Sequence, residues 1–478
     1  MSAALELEQL YTRLATVVGA EHVSALPDSA HYSGLLAPHV DAPARPRALV
    51  RPASAEQVQR LAPMIGELGH SLWSSANQCG NGAYAGHPRK PGVLLDLSRM
   101  NRIVEVDRRA ACAVIEAGVS YAQLAQHLHE RDLPLWLDAD SNGAHAVAGS
   151  IAVRQWGLTP YGDHQAALCG VEAVLANGSL LRTGMGGVPG STSWPRYKYS
   201  FGPAFDGLFS GEHFGVVTRL GLWLMPTPRR FRPFGLALPS LASVAAVVER
   251  LRPLLQDGSL GGRMLLASHN SDAALLARCM PQAPAPDGAP WTLYGALYGL
   301  PDNVEYYWQR CAEAAHAAAG AALSDSLAGP LWPLRVRQLR GESLYNDAAG
   351  DHARGLWFTM LAPCTGADAQ ALHRGVLKRL AEFAPRLSFM LAPRLLAMQV
   401  ELAPDSGPFE ATSLAALAAV KTLVAAGYGL MHSAPALAPT LAARHTPAGL
   451  RHLYDGLHTA LDPFAVLATR GRFKRGKS

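Results

Sequence analysis

An Asn-Gly dipeptide between two apolar runs is the strongest local constraint on how this 478-residue chain folds. The runs cover residues 170–175 and 179–182, and Asn177-Gly178 joins them. Asn-Gly is a preferred pair for a type I′ turn, in which both central residues have positive φ. The sequence therefore predicts a β-hairpin. A further pair of strand-like runs follows at 215–225 and is closed by two prolines.

Helices alternate with strands before this hairpin. Ser54 and Ser120 are each followed three residues later by glutamine, which is the pattern of a capping box. The two boxes predict helices over residues 55–68 and 121–130. β-rich runs between these helices predict strands at 93–97, 103–106 and 113–117.

The composition changes after Pro228, and alanine and leucine become frequent up to about residue 430. Helical runs in this part cover 241–251, 305–319 and 368–383, with a proline-rich loop at 281–290 and a last helix near 448–461. We predict an α+β chain in three parts: a first domain at 1–228, an inserted domain at 229–426 and a C-terminal return at 427–478.

Composition excludes several classes of protein. With 49% hydrophobic and 17% charged residues, the chain can build large cores and is not generally disordered. The six cysteines form no CxxC pair, which favours free thiols over a zinc site or a disulfide framework. The basic tail at 470–478 is expected to be a solvated end, not a nucleic-acid surface. The acidic start and the lack of an 18-residue apolar stretch predict a cytoplasmic protein without a membrane span, and export together with another chain stays open.

A glycine-bearing loop is the first candidate for cofactor binding. Residues 80–85 satisfy the pattern GxGxxA, but Pro88 opposes the helix that a Rossmann fingerprint requires. The loop at 74–82 is nevertheless small, polar and placed between a helix and a strand, so its backbone N–H groups could cradle a pyrophosphate. No GxSxG, HExxH or Walker pattern occurs in the chain, and we predict no metal site.

Five later segments carry a family resemblance. They cover residues 158–164, 169–178, 181–187, 201–209 and 215–225. Their order and spacing resemble the flavoproteins of the vanillyl-alcohol oxidase and p-cresol methylhydroxylase family, and the likeness is closest over residues 45–228. The resemblance implies a two-subdomain FAD-binding domain of the p-cresol methylhydroxylase (PCMH) type, with an inserted α+β cap domain that covers the flavin and binds substrate.

The resemblance also implies which residues hold FAD. The pyrophosphate would lie on the backbone amides of the glycine-bearing loop. The ribityl chain and flavin would lie on three later segments, and a strand after the hairpin would pack on the flavin or adenine. In that order, the implied residues are Ser75, Ala76, Asn77, Gln78, Cys79, Gly80, Asn81 and Gly82; Ser141, Asn142, Gly143, Gly149, Ser150, Gly157, Thr159 and Gly162; Val216 and Val217.

The catalytic positions depart from the family pattern. The family holds a phenolate with two tyrosines and an arginine, and charge stabilisation of this kind makes hydride loss feasible. The first tyrosine aligns with Ala83, one residue before Tyr84, while Met431 and His432 replace the second tyrosine and the arginine. The family's acid near flavin N5 aligns with Ser141. The candidate catalytic residues are therefore His432, as a base or anion partner, together with Ser141 and Tyr84.

The flavin is predicted to be non-covalent, because residues 395–398, at the family's linking position, contain no histidine, tyrosine or cysteine. We expect a small-molecule substrate, oxygen or a cytochrome or other redox protein as electron acceptor, and a homodimer. The sequence thus predicts an FAD-dependent oxidoreductase acting on an activated carbon of an aromatic or other small substrate. The alternative is a flavin-fold protein without redox activity that serves as a structural or assembly partner.

Overall fold

Sheets of four, five and seven strands organise the chain. The computed structural model describes residues 3–25, 46–76, 92–200, 202–210, 214–286, 288–347, 355–434, 437 and 447–467. Helices and strands alternate in the first part and the second part contains one large sheet with helices on both faces, so the predicted α+β class is confirmed.

The first unit contains the two smaller sheets. Its strands are β1 (Val23–Ser24), β2 (Ala48–Val50), β3 (Ser71–Ser75), β4 (Gly92–Asp96), β5 (Ile103–Asp107), β6 (Cys112–Glu116), β7 (Leu135–Trp136), β8 (Leu168–Val174), β9 (Leu180–Arg182), β10 (Val216–Trp223) and β11 (Met225–Pro226). The four-stranded sheet has the order β1-β2-β4-β3, and the antiparallel five-stranded sheet has the order β5-β6-β10-β8-β9, while β7 pairs with β11. The helices of this unit are α1 (Ala3–Val18), α2 (Ala55–Glu67), α3 (Tyr121–Glu130), α4 (Val147–Ala152) and α5 (His164–Ala167).

Both predicted capping boxes cap their helices. The Ser54 hydroxyl accepts the N–H of Gln57 at 3.3 Å, and the Ser120 hydroxyl accepts the N–H of Gln123 at 3.1 Å. These bonds satisfy N–H groups that the first helical turn leaves without a partner. The starts of α2 and α3 are therefore as predicted.

The hairpin is confirmed, but its turn is not of type I′. Strands β8 and β9 pair antiparallel, and the Gly178 N–H donates to the Leu175 carbonyl at 2.9 Å. Positive φ is found at Gly178 (83°) and not at Asn177. A type I turn followed by a left-handed glycine connects the strands. This is the common three-residue hairpin loop, one residue longer than the two-residue loop of a type I′ turn. The predicted pair of strands at 215–225 is mainly the single long strand β10.

The inserted unit is built on a seven-stranded antiparallel sheet, called the cap sheet below. Its strands are β12 (Arg230–Leu238), β13 (Met264–Ser268), β14 (Trp291–Gly299), β15 (Trp357–Pro363), β16 (Arg386–Leu391), β17 (Leu395–Glu401) and β18 (Gly429–Ser433), in the order β12-β14-β13-β16-β17-β15-β18. Its helices are α6 (Leu241–Gln256), α7 (His269–Cys279), α8 (Pro301–Ala319), α9 (Leu331–Leu339), α10 (Gly366–Leu380) and α11 (Phe409–Ala425).

One face of the cap sheet packs against helices, and the other face lines a cavity. Because side chains alternate along a strand, Leu396, Met398 and Val400 of β17 enter a core shared with α6, α8, α10 and α11. Ala397 and Gln399, on the opposite face, line a cavity towards the first unit. Helices α7 and α9 lie on this second face, so the sheet separates a packed core from the candidate site.

The return to the first unit begins later than predicted. The sequence predicts the boundary at residue 427, but β18 pairs with β15 and so belongs to the cap sheet. Local sequence does not reveal which strand an edge strand will pair with. The last helix, α12 (Ala448–Leu461), packs on the core of the first unit, and the Leu72 N–H donates to the Val466 carbonyl at 2.6 Å.

Candidate functional site

A cavity of about 280 Å³ lies between the first unit and the second face of the cap sheet. The first unit contributes the segment 139–141 and the loop that begins at Gln155. The cap contributes Thr359 of β15 and alternate residues of β16 and β17, with Arg335 and Gln338 from α9. An outer cavity of about 570 Å³ shares Arg278, Tyr345 and Arg386 with it. The site is therefore formed jointly by the two units.

His432 and Met431 both lie on the wall of this cavity. Neighbouring residues of a regular strand point to opposite faces, but β18 contains a register shift: His432 pairs with Thr359 and Leu430 pairs with Met360. Met431 is the extra residue of a β-bulge, a feature that redirects side chains at a sheet edge. The bulge explains how two adjacent residues face one cavity.

Ser141 lies on the opposite wall, at the end of a hydrogen-bond chain from the cap. Gln338 Nε2 donates to the Ser141 hydroxyl at 3.1 Å, and Gln338 Oε1 accepts from Arg335 Nη1 at 2.7 Å. Arg335 is 4% exposed and forms an ion pair with the buried Asp272. The Tyr294 hydroxyl donates to Asp272 at 2.7 Å. Burial, followed by the Asp272 charge, raises the pKa of Tyr294 far above its usual value, so this tyrosine remains a neutral donor.

A second set of bonds clamps the Ser141 segment to the cap. The Asn142 side chain accepts the Asp347 N–H at 3.0 Å and donates to the Asp347 carbonyl at 3.1 Å. The Ser141 carbonyl accepts N–H groups of Leu344 and Tyr345 at 2.8 and 3.1 Å. Asn142 is fully buried, so its amide is occupied by protein contacts at this joint between the units.

Beneath the cavity, a buried carboxylate organises the loop at 157–162. Asp138 accepts from the Thr159 N–H at 2.8 Å, and its other oxygen lies 2.9 Å from His164 Nε2. Tyr121 Oη lies 3.2 Å from His164 Nδ1. A Cβ on Gly157 would lie 1.5 Å from Asp138 Oδ1, so this glycine is required for the close approach of loop and carboxylate. The loop is held by protein contacts before any ligand binds.

Asp140 and Gln155 form a polar patch on the cavity wall. Gln155 Nε2 donates to Asp140 Oδ2 at 2.6 Å, while the Asn142 N–H donates to Asp140 Oδ1 at 2.9 Å. Gln155 Oε1 is buried and accepts no hydrogen bond from the described residues. Such an acceptor is costly unless a donor reaches it, and the imide N–H of an isoalloxazine is a donor of the required type. The Gln155 acceptor on this wall therefore fits the imide N–H of a flavin.

The remaining predicted cofactor residues occupy several environments. Ser75 ends β3 and Ala76 packs beside the first core, while Asn77 to Gly82 and Tyr84 lie outside the described residues. Gly149 and Ser150 lie in the short helix α4, and Gly143 precedes it. Val216 is 1% exposed inside the core of the first unit, so protein contacts occupy its side chain, whereas Val217 is half-buried.

The aligned linking position lies on β17. Of its residues, Ala397 faces the cavity and Leu396 and Met398 face the cap core. Within the described ranges, no group of three or more histidine, cysteine or acidic side chains could bind a metal. Nor is any helix of the described part long and apolar enough to cross a bilayer.

Sequence reasoning missed the charged and polar residues that the cap brings to the cavity. Arg335 and Gln338 lie almost 200 residues from Ser141, and Arg386 lies within 3.9 Å of Glu401 on the neighbouring strand. No local motif marks them. A partial signal exists in helix α9, where Arg335 falls among apolar residues and is buried with them.

Comparisons with known proteins agree with this geometry. The family model described as FAD binding domain matches residues 46–184. The 4-cresol dehydrogenase [hydroxylating] flavoprotein subunit of Pseudomonas putida is 31% identical over 392 residues, which cover 74% of this chain and 75% of that protein. The 1'-carboxy-chondrochloren decarboxylase of Chondromyces crocatus is 33% identical over 53% of this chain and 47% of its own length.

Solved structures give the same result over the full length. The structure of p-cresol methylhydroxylase with substrate bound has a TM-score of 0.85 and 26% identity, and the match covers 98% of each chain. The 4-ethylphenol oxidase from Gulosibacter chungangensis, in its isoeugenol complex, has a TM-score of 0.88 at 24% identity over 99% of this chain and 98% of that one. The fold is thus an FAD-binding domain with a cap domain. The chain belongs to the p-cresol methylhydroxylase and vanillyl-alcohol oxidase family and is an FAD-dependent oxidoreductase.

Proposed function

We propose that this enzyme takes a hydride from an activated benzylic or alcohol carbon of a small aromatic substrate. The observation that carries the proposal is the cavity of about 280 Å³ with Ser141 and His432 on its wall. The flavin proposed at the Gln155 wall takes part of this volume, so the remainder suits a small substrate, below the about 300–1,000 Å³ of pockets for drug-sized ligands. The names of two relatives, 4-cresol dehydrogenase and p-cresol methylhydroxylase, support a substrate of that size.

Bound FAD supplies the hydride acceptor for this oxidation. The residues proposed to hold it are those of the loop at 75–82, the cavity wall at Gln155 and the segment 141–143, where Asn142 fixes the shape of the wall through its bonds to Asp347. The protein's own contribution is to orient the substrate between the two units and to exclude water. His432 is proposed to act as a base or as the partner of a substrate anion, because an imidazole can exchange a proton near neutral pH.

The enzyme is proposed to work without the phenolate-binding residues of its family. Met431 and His432 stand at two of their aligned positions, so one hydroxyl donor and one fixed cation are missing there. Charge-assisted hydrogen bonds contribute about 1.5–3 kcal/mol each, so a simple para-alkylphenol should react orders of magnitude more slowly than in a phenolate-binding enzyme. The substrate is instead activated in another way, or is a bulkier phenol anchored by His432 and the cap.

The electron acceptor is proposed to be oxygen or a redox protein such as a cytochrome. The relative from Pseudomonas putida is described as a flavoprotein subunit, which supports a protein partner. We further propose a non-covalent flavin, a homodimer and a cytoplasmic location.

The test is the visible spectrum of the purified protein during anaerobic addition of phenols, benzylic alcohols and non-phenolic aromatic acids. We expect a yellow protein that at least one of these classes bleaches, with p-cresol reacting slowly or not at all. A colourless protein that gains no thermal stability from added FAD would contradict the proposal, because a ligand bound only by the native state must stabilise it. Fast bleaching by p-cresol would contradict the assignment of the pocket residues.

A further inference from the structure

The hydrogen-bond chain that ends at Ser141 has a fixed direction. Arg335 can only donate, because a guanidinium has no acceptor. Its Nη1 lies 2.7 Å from one end of the Gln338 amide, so that end must be the oxygen. The other end is then the NH₂ group, which lies 3.1 Å from the Ser141 hydroxyl and donates to it. The arginine thus determines the orientation of the amide, and the amide determines what the serine accepts.

The consequence concerns the proton of Ser141. A hydroxyl that accepts from Gln338 keeps its own O–H for another acceptor. None of the described residues offers an acceptor to this O–H, and Ser141 lies on the cavity wall. We infer that Ser141 donates its hydroxyl proton to an oxygen of the substrate or product, and that Gln338 and Arg335 are positioning residues that impose this direction. The inference rests on the proposed function, since it assigns the polar end of the ligand bound in that cavity.

Rigidity and charge both support this arrangement. Arg335 is buried and held by its ion pair with Asp272, and its guanidinium carbon lies 5.0 Å from the centre of the Tyr294 ring. In a low-dielectric interior, the hydrogen bonds of a chain polarise one another, and a guanidinium is a stronger donor than a neutral group. The bond from Arg335 therefore makes Gln338 a better donor, and the bond from Gln338 in turn strengthens Ser141 as a donor. The cavity selects an aromatic ligand whose polar end is a carbonyl, alkoxide or carboxylate oxygen. Ser141 stabilises charge on that oxygen and does not remove a proton.

The test compares acetophenone with α-methylstyrene, two ligands of nearly equal shape. The first has a carbonyl oxygen that can accept a hydrogen bond, and the second has a CH₂ group in the same place. Their dissociation constants are measured from changes in the spectrum of the oxidised flavin. The wild-type protein should bind acetophenone about tenfold more tightly than α-methylstyrene, as one good hydrogen bond allows. Ser141→Ala should remove this preference. Gln338→Glu should remove it too, because the carboxylate still accepts from Arg335 but now also accepts the Ser141 proton.

The double variant and a matched control complete the test. If the two residues act as one chain, Ser141→Ala with Gln338→Glu should lose no more preference than either single variant. Gln309→Glu, at an exposed site of helix α8 on the other face of the cap sheet, should leave the preference intact, and FAD content and melting temperature show that each variant is folded. A preference that survives Gln338→Glu, additive losses in the double variant, or no preference in the wild type would overturn the inference. If the preference behaves as predicted but no aromatic compound reduces the flavin, the proposed function fails and the ligand assignment stands.

Discussion

His432 is the residue whose replacement most directly separates catalysis from cofactor binding. It lies on the cap side of the cavity, on an edge strand away from the loops proposed to hold FAD. We predict that His432→Ala slows flavin reduction by the best substrate by about 10²–10⁴-fold, the usual contribution of a positioned acid, base or anion partner. FAD content should change little. Anaerobic stopped-flow reduction measures the rate, with exposed His129→Ala as the control, and an unchanged rate would remove His432 from the mechanism.

His373 gives the stability of the cap a predictable pH dependence. It lies on α10 with its ring against Trp291, and burial lowers its pKa from the usual 6.5, with a smaller effect from Arg374. The unfolded chain then binds more protons than the native protein below about pH 6.5. The stability contributed by neutral His373 is therefore present above pH 6.5 and is lost as the pH falls towards the lowered pKa. Melting temperatures of His373→Gln should fall less than those of the wild type between pH 7.5 and 5, and parallel curves would refute this.

Some residues of the candidate site could be identified from sequence and others could not. Alignment to a family singled out Ser141 and His432, because each sits in a recognisable local segment. No local sequence pattern identifies Arg335 and Gln338. Their place in the site depends on the contact between Gln338 and Ser141, which lie almost 200 residues apart. Gly157 illustrates a different limit: the sequence suggests space for a cofactor, whereas the structure shows that the space holds the carboxylate of Asp138.

The segment around Asn142 joins two structural elements, and its stability can be tested. The Asn142 side chain bonds to both backbone groups of Asp347 and accepts the Ala144 N–H at 3.1 Å. Asn142→Ala loses all three bonds, each contributing about 0.5–1.5 kcal/mol, so unfolding should become easier by about 2–4 kcal/mol. FAD retention should also weaken, because Ser141 is the adjacent residue. Chemical denaturation measures the change. Asn303→Ala, at an exposed helical site, should cost nothing, and equal stability of the two variants would contradict the clamp.

Elements with local signals were predicted well, and elements defined by distant partners were not. The capping boxes of α2 and α3 are local, and their hydrogen bonds occur as expected. The predicted hairpin is present, but the Asn-Gly dipeptide alone does not decide between a two-residue turn and the longer turn found at Gly178. The boundary predicted at residue 427 leaves β18 outside the cap, because the sequence of this strand does not show that β15 is its partner.

The whole protein should release its flavin on denaturation. At the aligned linking position, the cavity-facing residue is Ala397, which has no nucleophilic atom. Acid precipitation should therefore leave the yellow colour in the supernatant, and added FAD should raise the melting temperature of protein depleted of flavin. Colour that stays with the precipitate would mean that another side chain forms a covalent link, and mass spectrometry of the flavin peptide would identify it.

We propose that, in the whole molecule, the substrate meets the flavin in the cavity between the two units. The most direct measurement is anaerobic flavin reduction in Ala397→Phe, compared with Ala237→Phe. Both alanines lie in the cap sheet, but Ala397 faces the cavity and Ala237 is exposed on β12. The Phe side chain at 397 narrows this cavity from the cap side. We predict that Ala397→Phe, compared at matched FAD content, loses reduction by the best aromatic substrate, while Ala237→Phe reacts like the wild type. Reduction at the wild-type rate by Ala397→Phe would show that the substrate binds elsewhere.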